Sequence, residues 1–175
     1  MRSNEEHALP IFVDTEFTSF GRMELVSLGA VTVDGREFYA ETSDHDAGDR
    51  SDFVQKTVVP LLRGGAWSMP RDVLGARFAA WVASLGAPCR IVCDYSGDWA
   101  LASALLSGRW PEGLAASQLT WTYGLANGGT PEHQAAKRRA WEAAQAHFAR
   151  EPQHHALHDA RAMRAAWIAE RATGG

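Results

Sequence analysis

Two carboxylates close the first apolar segment of the chain. Residues 9–17 (LPIFVDTEF) predict a strand buried on both faces, and Asp14 and Glu16 lie near its end. Because side chains alternate along a strand, both acids point to one face, with Cα atoms about 6.5–7 Å apart. Two buried like charges raise each other's pKa unless a cation holds them, and hard divalent cations such as Mg²⁺ or Mn²⁺ favour paired carboxylates. The alternative is that the strand ends here and both acids face water.

A third acid lies in the last predicted helix, close to a cluster of histidines. Asp159 borders the apolar stripe of this helix, where a carboxylate needs a partner, either a cation or an arginine at the edge of the core. His154, His155 and His158 precede it, and histidine is the usual general base at neutral pH. Helix geometry alone favours His155, four residues before Asp159. A zinc site that adds His147 to these three is the alternative, although no cysteine lies nearby to complete a familiar pattern.

Two further acids occupy the middle of the chain. Asp94 ends a predicted strand, and Asp98 lies in the first turn of the helix that follows. Sites in open α/β sheets form where strands end and helices begin, so either acid is placed to join Asp14 and Glu16 there. The alternatives are that Asp98 complements the helix dipole and that Asp94 caps the turn.

Taken in order, these motifs resemble those of the DEDDh 3′→5′ exonucleases, the DnaQ-like branch of the ribonuclease H-like fold. The resemblance spans about residues 11–165, and its motifs are Asp14-Thr15-Glu16, an Asp that opens a mid-chain helix, and His154-x-Ala156-Leu157-x-Asp159-Ala160. The resemblance implies that two ions, Mg²⁺ or Mn²⁺, are held by Asp14, Glu16, Asp98 and Asp159. It also implies that the general base is His154 rather than His155 or His158.

Two positions depart from the family's pattern. Leu25-Val26-Ser27-Leu28-Gly29 stands where many relatives carry I-I-E-I-G, so Ser27 replaces an acid. Four residues before Asp98 the family often has Asn, and here that position is Asp94. Asp94 therefore adds negative charge beside the site and is the alternative third metal-binding carboxylate.

The resemblance implies metal-dependent hydrolysis of the terminal phosphodiester at a 3′ end. The expected substrate is single-stranded RNA or a short oligonucleotide, and the expected products are nucleoside 5′-monophosphates. The short chain and the D-T-E-F-T opening are similar to a small bacterial exoribonuclease-like branch, which favours RNA over DNA. The residues placed against the terminal nucleotide are Thr15, Phe17, Thr18 and Phe20. The alternative is a non-catalytic ribonuclease H-like module that binds nucleic acid or a protein, and a homodimer is left open.

The elements that must position these residues alternate between strand and helix periodicity. Strands are predicted at 9–17, 24–33, 36–42, 89–94 and 117–122, and helices at 52–63, 70–85, 97–107, 130–149 and 155–172. Asp34-Gly35 is a strong hairpin signal, so the first three strands form an antiparallel meander. We expect an α/β fold with a mixed five-stranded sheet and helices on both faces. The family resemblance gives this arrangement the ribonuclease H-like fold.

Length and composition fit one domain. The 175 residues predict a single domain, 1–175, with the motifs in a core of about 9–172, and the net charge of −4 excludes a global basic field. The run 137–139 (KRR) is a small basic patch, either a solvated face or a phosphate track.

The two cysteines and the first residues of the chain are used to predict the cellular compartment. Cys89 and Cys93 lie about 13 Å apart on one predicted strand, too far for a disulfide, which indicates a reducing compartment. Glu5 and Glu6, with no apolar segment behind them, argue against a signal peptide. No stretch is typical of a membrane span, so we expect a cytoplasmic protein with no membrane partner.

Overall fold

The computed structural model describes residues 8–125 and 128–172, in which a mixed sheet carries helices on both faces. The strands are β1 (Leu9–Phe17), β2 (Leu25–Thr32), β3 (Glu37–Thr42), β4 (Ser68–Met69), β5 (Cys89–Cys93) and β6 (Leu119–Thr120). The α-helices are α1 (Arg71–Ser84), α2 (Ser96–Leu106), α3 (Pro131–Phe148) and α4 (Ala156–Arg171). Glu5 and Glu6 lie outside the described residues, so the prediction about a signal peptide stays a prediction.

The strand order is β4-β3-β2-β1-β5-β6. The antiparallel meander of β1, β2 and β3 is confirmed, and its second turn uses Gly35 with a left-handed φ of 94°. On the other side of β1, β5 pairs in parallel with β1 and β6 pairs in parallel with β5. β1 is therefore a central strand, and its carboxyl end lies beside that of β5.

The sheet has six strands, so the predicted count of five is wrong. The additional strand is β4, in which Ser68 and Met69 pair in parallel with Glu41 and Thr42 of β3. Two residues are too few to show the alternation by which a strand is recognised in a sequence.

The segment predicted as a helix over 52–63 is irregular. It forms a π-helical turn, Val54–Val58, followed by a 3₁₀ turn, Val59–Leu61. Pro60 lacks the backbone N–H that a continuing α-helix needs, which explains why regular helix does not extend through this segment. Phe53, the residue just before the π-helical turn, is 52% exposed.

The two faces of β1 are covered by different helices. Ile11 and Val13 pack in a cluster with α1 and α2, whereas Phe12 packs in a cluster with α4. α3 lies behind α4 and contacts it through alanines. Because alternate residues of a strand share a face, Asp14 and Glu16 project to the same side as Phe12, towards α4. The fold therefore directs the first acidic pair towards the helix that carries Asp159.

The basic patch at 137–139 is largely used inside the fold. Lys137 Nζ lies 3.2 Å from Glu170 Oε1 and donates to the Thr122 carbonyl at 2.8 Å. Arg139 donates to main-chain carbonyls at the end of α4. These contacts make two of the three cations part of the α3–α4 packing and argue against a phosphate track.

Both cysteines are free thiols, as predicted, and both are buried. Among the helices in the described parts of the chain, none is long and apolar enough to cross a bilayer.

Candidate active site

A cleft of about 680 Å³ opens where β1 and β5 end and α4 begins. This volume lies within the range of sites that bind small molecules or cofactors. Its lining includes all five residues predicted to act in metal binding or as the base, namely Asp14, Glu16, Asp98, His154 and Asp159. The fold therefore brings together residues that come from three distant segments of the chain.

The candidate metal-ligating atoms of the cleft form two groups. Each group has ligand atoms within 4.8 Å of one another; the groups are Glu16 with His154 and Asp159, and Asp14 with Asp94 and Asp98. Sets that are rich in carboxylate oxygen suit hard divalent cations such as Mg²⁺ and Mn²⁺. The donor chemistry therefore fits the ions that the sequence predicted.

Asp98 is fastened to β1 through Thr15. Asp98 is 3% exposed, and its Oδ1 accepts hydrogen bonds from the Thr15 backbone N–H at 3.1 Å and from the Thr15 hydroxyl at 2.6 Å. The ladder between β1 and β5 ends at Phe12 and Val92, so the Asp98 carboxylate pairs a backbone group that lies beyond the ladder. Thr15, itself 5% exposed, thereby fixes the end of β1 relative to α2.

The start of α4 fixes Asp159 and His154 relative to each other. The His154 backbone N–H donates to Asp159 Oδ2 at 2.8 Å, and His154 has a φ of 65°. A left-handed backbone is uncommon outside glycine and persists where the surroundings hold it. The His154 ring packs edge-on against Phe53, with ring centroids 4.9 Å apart.

The arginine partner considered for Asp159 is not seen in the described residues. Arg161, the nearest arginine along α4, instead pairs with Glu37 and Glu151, each at 2.7 Å. Asp159 is thus left facing the other acids of the cleft, which favours the cation alternative.

The three clustered histidines have different surroundings. His154 lines the cleft, whereas His155 is 3% exposed and its ring stacks between those of Tyr39 and His158, at 4.5 and 4.0 Å. Burial, followed by the neighbouring His158 and Arg63, lowers the pKa of His155 to about 4. The position favoured by helix geometry thus faces the core. Among the described residues neither His155 nor His158 belongs to a metal-ligating group, which argues against the zinc alternative.

Burial and mutual repulsion raise the pKa of the site carboxyls. For Asp14 burial is the largest cause of a pKa well above the usual range, and repulsion from Asp98 and Asp159 comes next. Burial also raises the pKa of Glu16 to about 8, and it raises those of Asp98 and Asp159 to about 7 against opposing hydrogen bonds. No Lys or Arg is found among the described residues that line the cleft. Bound divalent cations would relieve this repulsion.

The residues predicted to contact substrate occupy different places. Phe17 lines the cleft, and Phe20, which is 80% exposed, packs edge-on against it at 5.3 Å. Tyr95 stacks on Phe17 at 6.3 Å and completes an aromatic cluster. Thr18, in contrast, is fully buried, and its backbone N–H and hydroxyl are both hydrogen bonded to the backbone of Glu24. Thr18 therefore supports the turn beneath the cleft.

Four aromatic residues of the cleft were missed by the sequence analysis, namely Phe53, Tyr95, Tyr123 and Phe148. Tyr95 carried a usable signal, because it lies between the two candidate acids Asp94 and Asp98. Phe53 carried none, since it falls at the start of a segment that was predicted as an ordinary helix.

Comparison with known proteins gives a partial match. No family model matches the sequence. Two curated proteins of Mycobacterium tuberculosis are similar to part of it, and both are named 3′-5′ exoribonuclease: MT2234.1 of strain CDC 1551 / Oshkosh and Rv2179c of strain ATCC 25618 / H37Rv. Each is 42% identical over 52 residues, which is 29% of this chain and 31% of the relative. The similarity supports an exonuclease relationship over that part of the chain.

Proposed function

We propose that this protein is a metal-dependent 3′→5′ exoribonuclease of the DEDDh type with a ribonuclease H-like fold. The observation that carries the proposal is the meeting of Asp14, Glu16, Asp98, Asp159 and His154 in one cleft. The two partial relatives are both named 3′-5′ exoribonuclease, which supports RNA as the substrate. Single-stranded RNA would be shortened from its 3′ end, with release of nucleoside 5′-monophosphates.

The four carboxylates are proposed to hold two ions of Mg²⁺ or Mn²⁺. Divalent cations in such a site supply Lewis acidity towards the scissile phosphate and generate a nucleophile at neutral pH. His154, whose ring lies near Glu16 and Asp159, accepts the proton of the attacking water. The edge-on contact with Phe53 holds the imidazole in the cleft.

The aromatic cluster of Phe17, Phe20 and Tyr95 is proposed to receive the terminal base. Base–aromatic stacking contributes about 1–3 kcal/mol per base, and the exposed Phe20 ring offers a surface for it. Thr15 acts through Asp98, and Thr18 acts through the turn that it supports. One chain supplies all of these residues, so a homodimer is a separate prediction that this chemistry does not require.

The test is hydrolysis of 5′-labelled single-stranded RNA and matched DNA, each with Mg²⁺, with Mn²⁺ and with EDTA. We expect a ladder that shortens from the 3′ end, needs the cation and forms faster on RNA. A circular RNA of the same sequence is the control, because it has no 3′ end. Equal rates on RNA and DNA would contradict the preference for RNA and leave only the proposal of an exonuclease. Folded protein that degrades no substrate would contradict catalysis and favour a non-catalytic binding module.

Removing the proposed base should slow the reaction without removing the acids. His154→Ala is expected to lower the hydrolysis rate by about 10²–10⁴-fold. His133→Ala is the control, since His133 is exposed and does not line the cleft. If His155→Ala lowered the rate by this amount and His154→Ala left it unchanged, the assignment of the base would be wrong.

A further inference from the structure

Asp94 lies beside Asp14 at the ends of two central parallel strands. The register of β1 with β5 covers residues 9–12 and 89–92, and its continuation by two residues sets Asp14 opposite Asp94. Val92 belongs to the cluster that packs under α4. Because alternate residues share a face, Asp14 and Asp94 both project to the side of the sheet that α4 covers.

The carboxylate oxygens of Asp14, Asp94 and Asp98 lie within 4.8 Å of one another. No described residue that lines the cleft is a Lys or an Arg that could neutralise them. Carboxylates this close repel one another strongly in a partly buried site, so the arrangement calls for a positive charge among them.

Asp98 and Asp94 differ in what holds their side chains. Asp98 is attached to β1, because its Oδ1 accepts both hydrogen bonds of Thr15. Asp94 is half-buried, and the hydrogen bonds to its carboxyl come from backbone N–H groups of its own turn, with no side-chain donor among the described residues. The Asp98 side chain thus helps to position the end of β1 through its hydrogen bonds. The hydrogen bonds of the Asp94 side chain stay within its own turn.

Building on the proposed function, we propose that Asp94 is a fifth cation-binding carboxylate, which shares one of the two ions with Asp14. Asp98 then contributes through its second oxygen and through the position it gives Asp14 by way of Thr15. The other ion belongs to the group of Glu16 and Asp159. The family that this chain resembles often has Asn at the position of Asp94. An Asp at this position adds one ligand to the proposed metal-binding carboxylates.

The test is a titration of the full chain with Mn²⁺ in the presence of adenosine 5′-monophosphate. The electron paramagnetic resonance signal of free Mn²⁺ measures how much of the ion is bound. We expect two ions on the wild type, and on Asp94→Asn one ion with unchanged affinity and one weakened by at least about tenfold. Glu112→Gln is the charge-matched control, because Glu112 is exposed and adjoins Gly113, which pairs with Cys89 at the opposite end of β5. Asp94→Ser serves as the second variant if the Asn variant does not fold.

Salt separates a ligand from a distant charge. At 1 M KCl the Debye length is about 3 Å, so an effect that reaches the ion through solvent would be screened, whereas the weakened affinity of Asp94→Asn should persist if Asp94 binds the ion. Loss of the difference at high salt, wild-type affinities in Asp94→Asn, or fewer than two ions on the wild type would each overturn the inference. If the RNA ladder still forms, the proposed function stands. A wild type that binds no Mn²⁺ and forms no ladder would overturn both.

Discussion

Asp14→Asn is expected to abolish RNA hydrolysis and, in EDTA, to raise the melting temperature. The Asp14 carboxylate lies within 4.8 Å of those of Asp94 and Asp98, so its loss should reduce the rate by about a thousandfold or more. The same change removes a buried charge that its neighbours repel. The free energy of unfolding in EDTA therefore increases, and at this chain length about 1 kcal/mol corresponds to roughly 2–4 °C.

The stability gain should grow with pH. Burial raises the pKa of Glu16 to about 8 and those of Asp98 and Asp159 to about 7, whereas such groups titrate near pH 4 in an unfolded chain. Between these values the folded protein binds more protons than the unfolded chain. The free energy of unfolding of the metal-free wild type must then fall as the pH rises from about 4 to about 8. Asp14→Asn removes one of the interacting charges, so the free energy of unfolding of the variant should fall less steeply with pH. The difference in this free energy between the variant and the wild type should therefore widen towards pH 8.

Thermal melts from pH 5 to pH 8 in EDTA, repeated with Mn²⁺, measure this directly. With Mn²⁺ the order should reverse, because ions bind the folded wild type and stabilise it, while the variant lacks a central ligand. Glu112→Gln should change neither series. An Asp14→Asn protein that melts below the wild type in EDTA at pH 8 would contradict the repulsion described above. Retained hydrolysis would contradict the proposed function.

Local patterns were sufficient for the elements that carry the acids. The continuous apolar run that opens residues 9–17 predicted β1 with its observed bounds, and the two-residue period of a strand placed Asp14 and Glu16 on one face, because both properties depend on neighbours in the chain. The apolar stripe of α4 likewise placed Asp159 at the border of its inward face, and in the structure Asp159 lines the cleft. The periodicity of a strand or helix is enough to decide such orientations.

Contacts between distant segments were beyond those patterns. Thr15 and Asp98 are 83 residues apart, and nothing in either neighbourhood distinguishes a hydroxyl that binds a carboxylate from one that contacts substrate. His154 precedes the first residue of α4 and has a left-handed backbone, so helical spacing does not apply to it. Counting along the helix therefore selected His155, and only the motif resemblance pointed to His154.

Gly29→Ala is expected to destabilise the fold and to weaken Mn²⁺ binding. It acts through β2, the strand that pairs with β1 on the side away from β5. Gly29 lies in β2 opposite Asp14, and a Cβ there would lie far inside van der Waals contact with the backbone of Ala156 and Leu157. Backbone atoms cannot rotate away as a flexible side chain can, so the start of α4 must move. Because Asp159 is in the first turn of α4, this movement displaces a proposed metal ligand.

The expected cost of Gly29→Ala is about 3 kcal/mol, the upper part of the usual range for overpacking. At this chain length that lowers the melting temperature by roughly 6–12 °C, and Mn²⁺ affinity should fall with it. Adding Ala156→Gly should not restore either quantity, because the clash is with the main chain. Gly124→Ala is the control, since a Cβ there meets nothing within 4 Å. Wild-type melting and Mn²⁺ affinity in Gly29→Ala would mean that the position of Asp159 does not depend on close packing of α4 against β2.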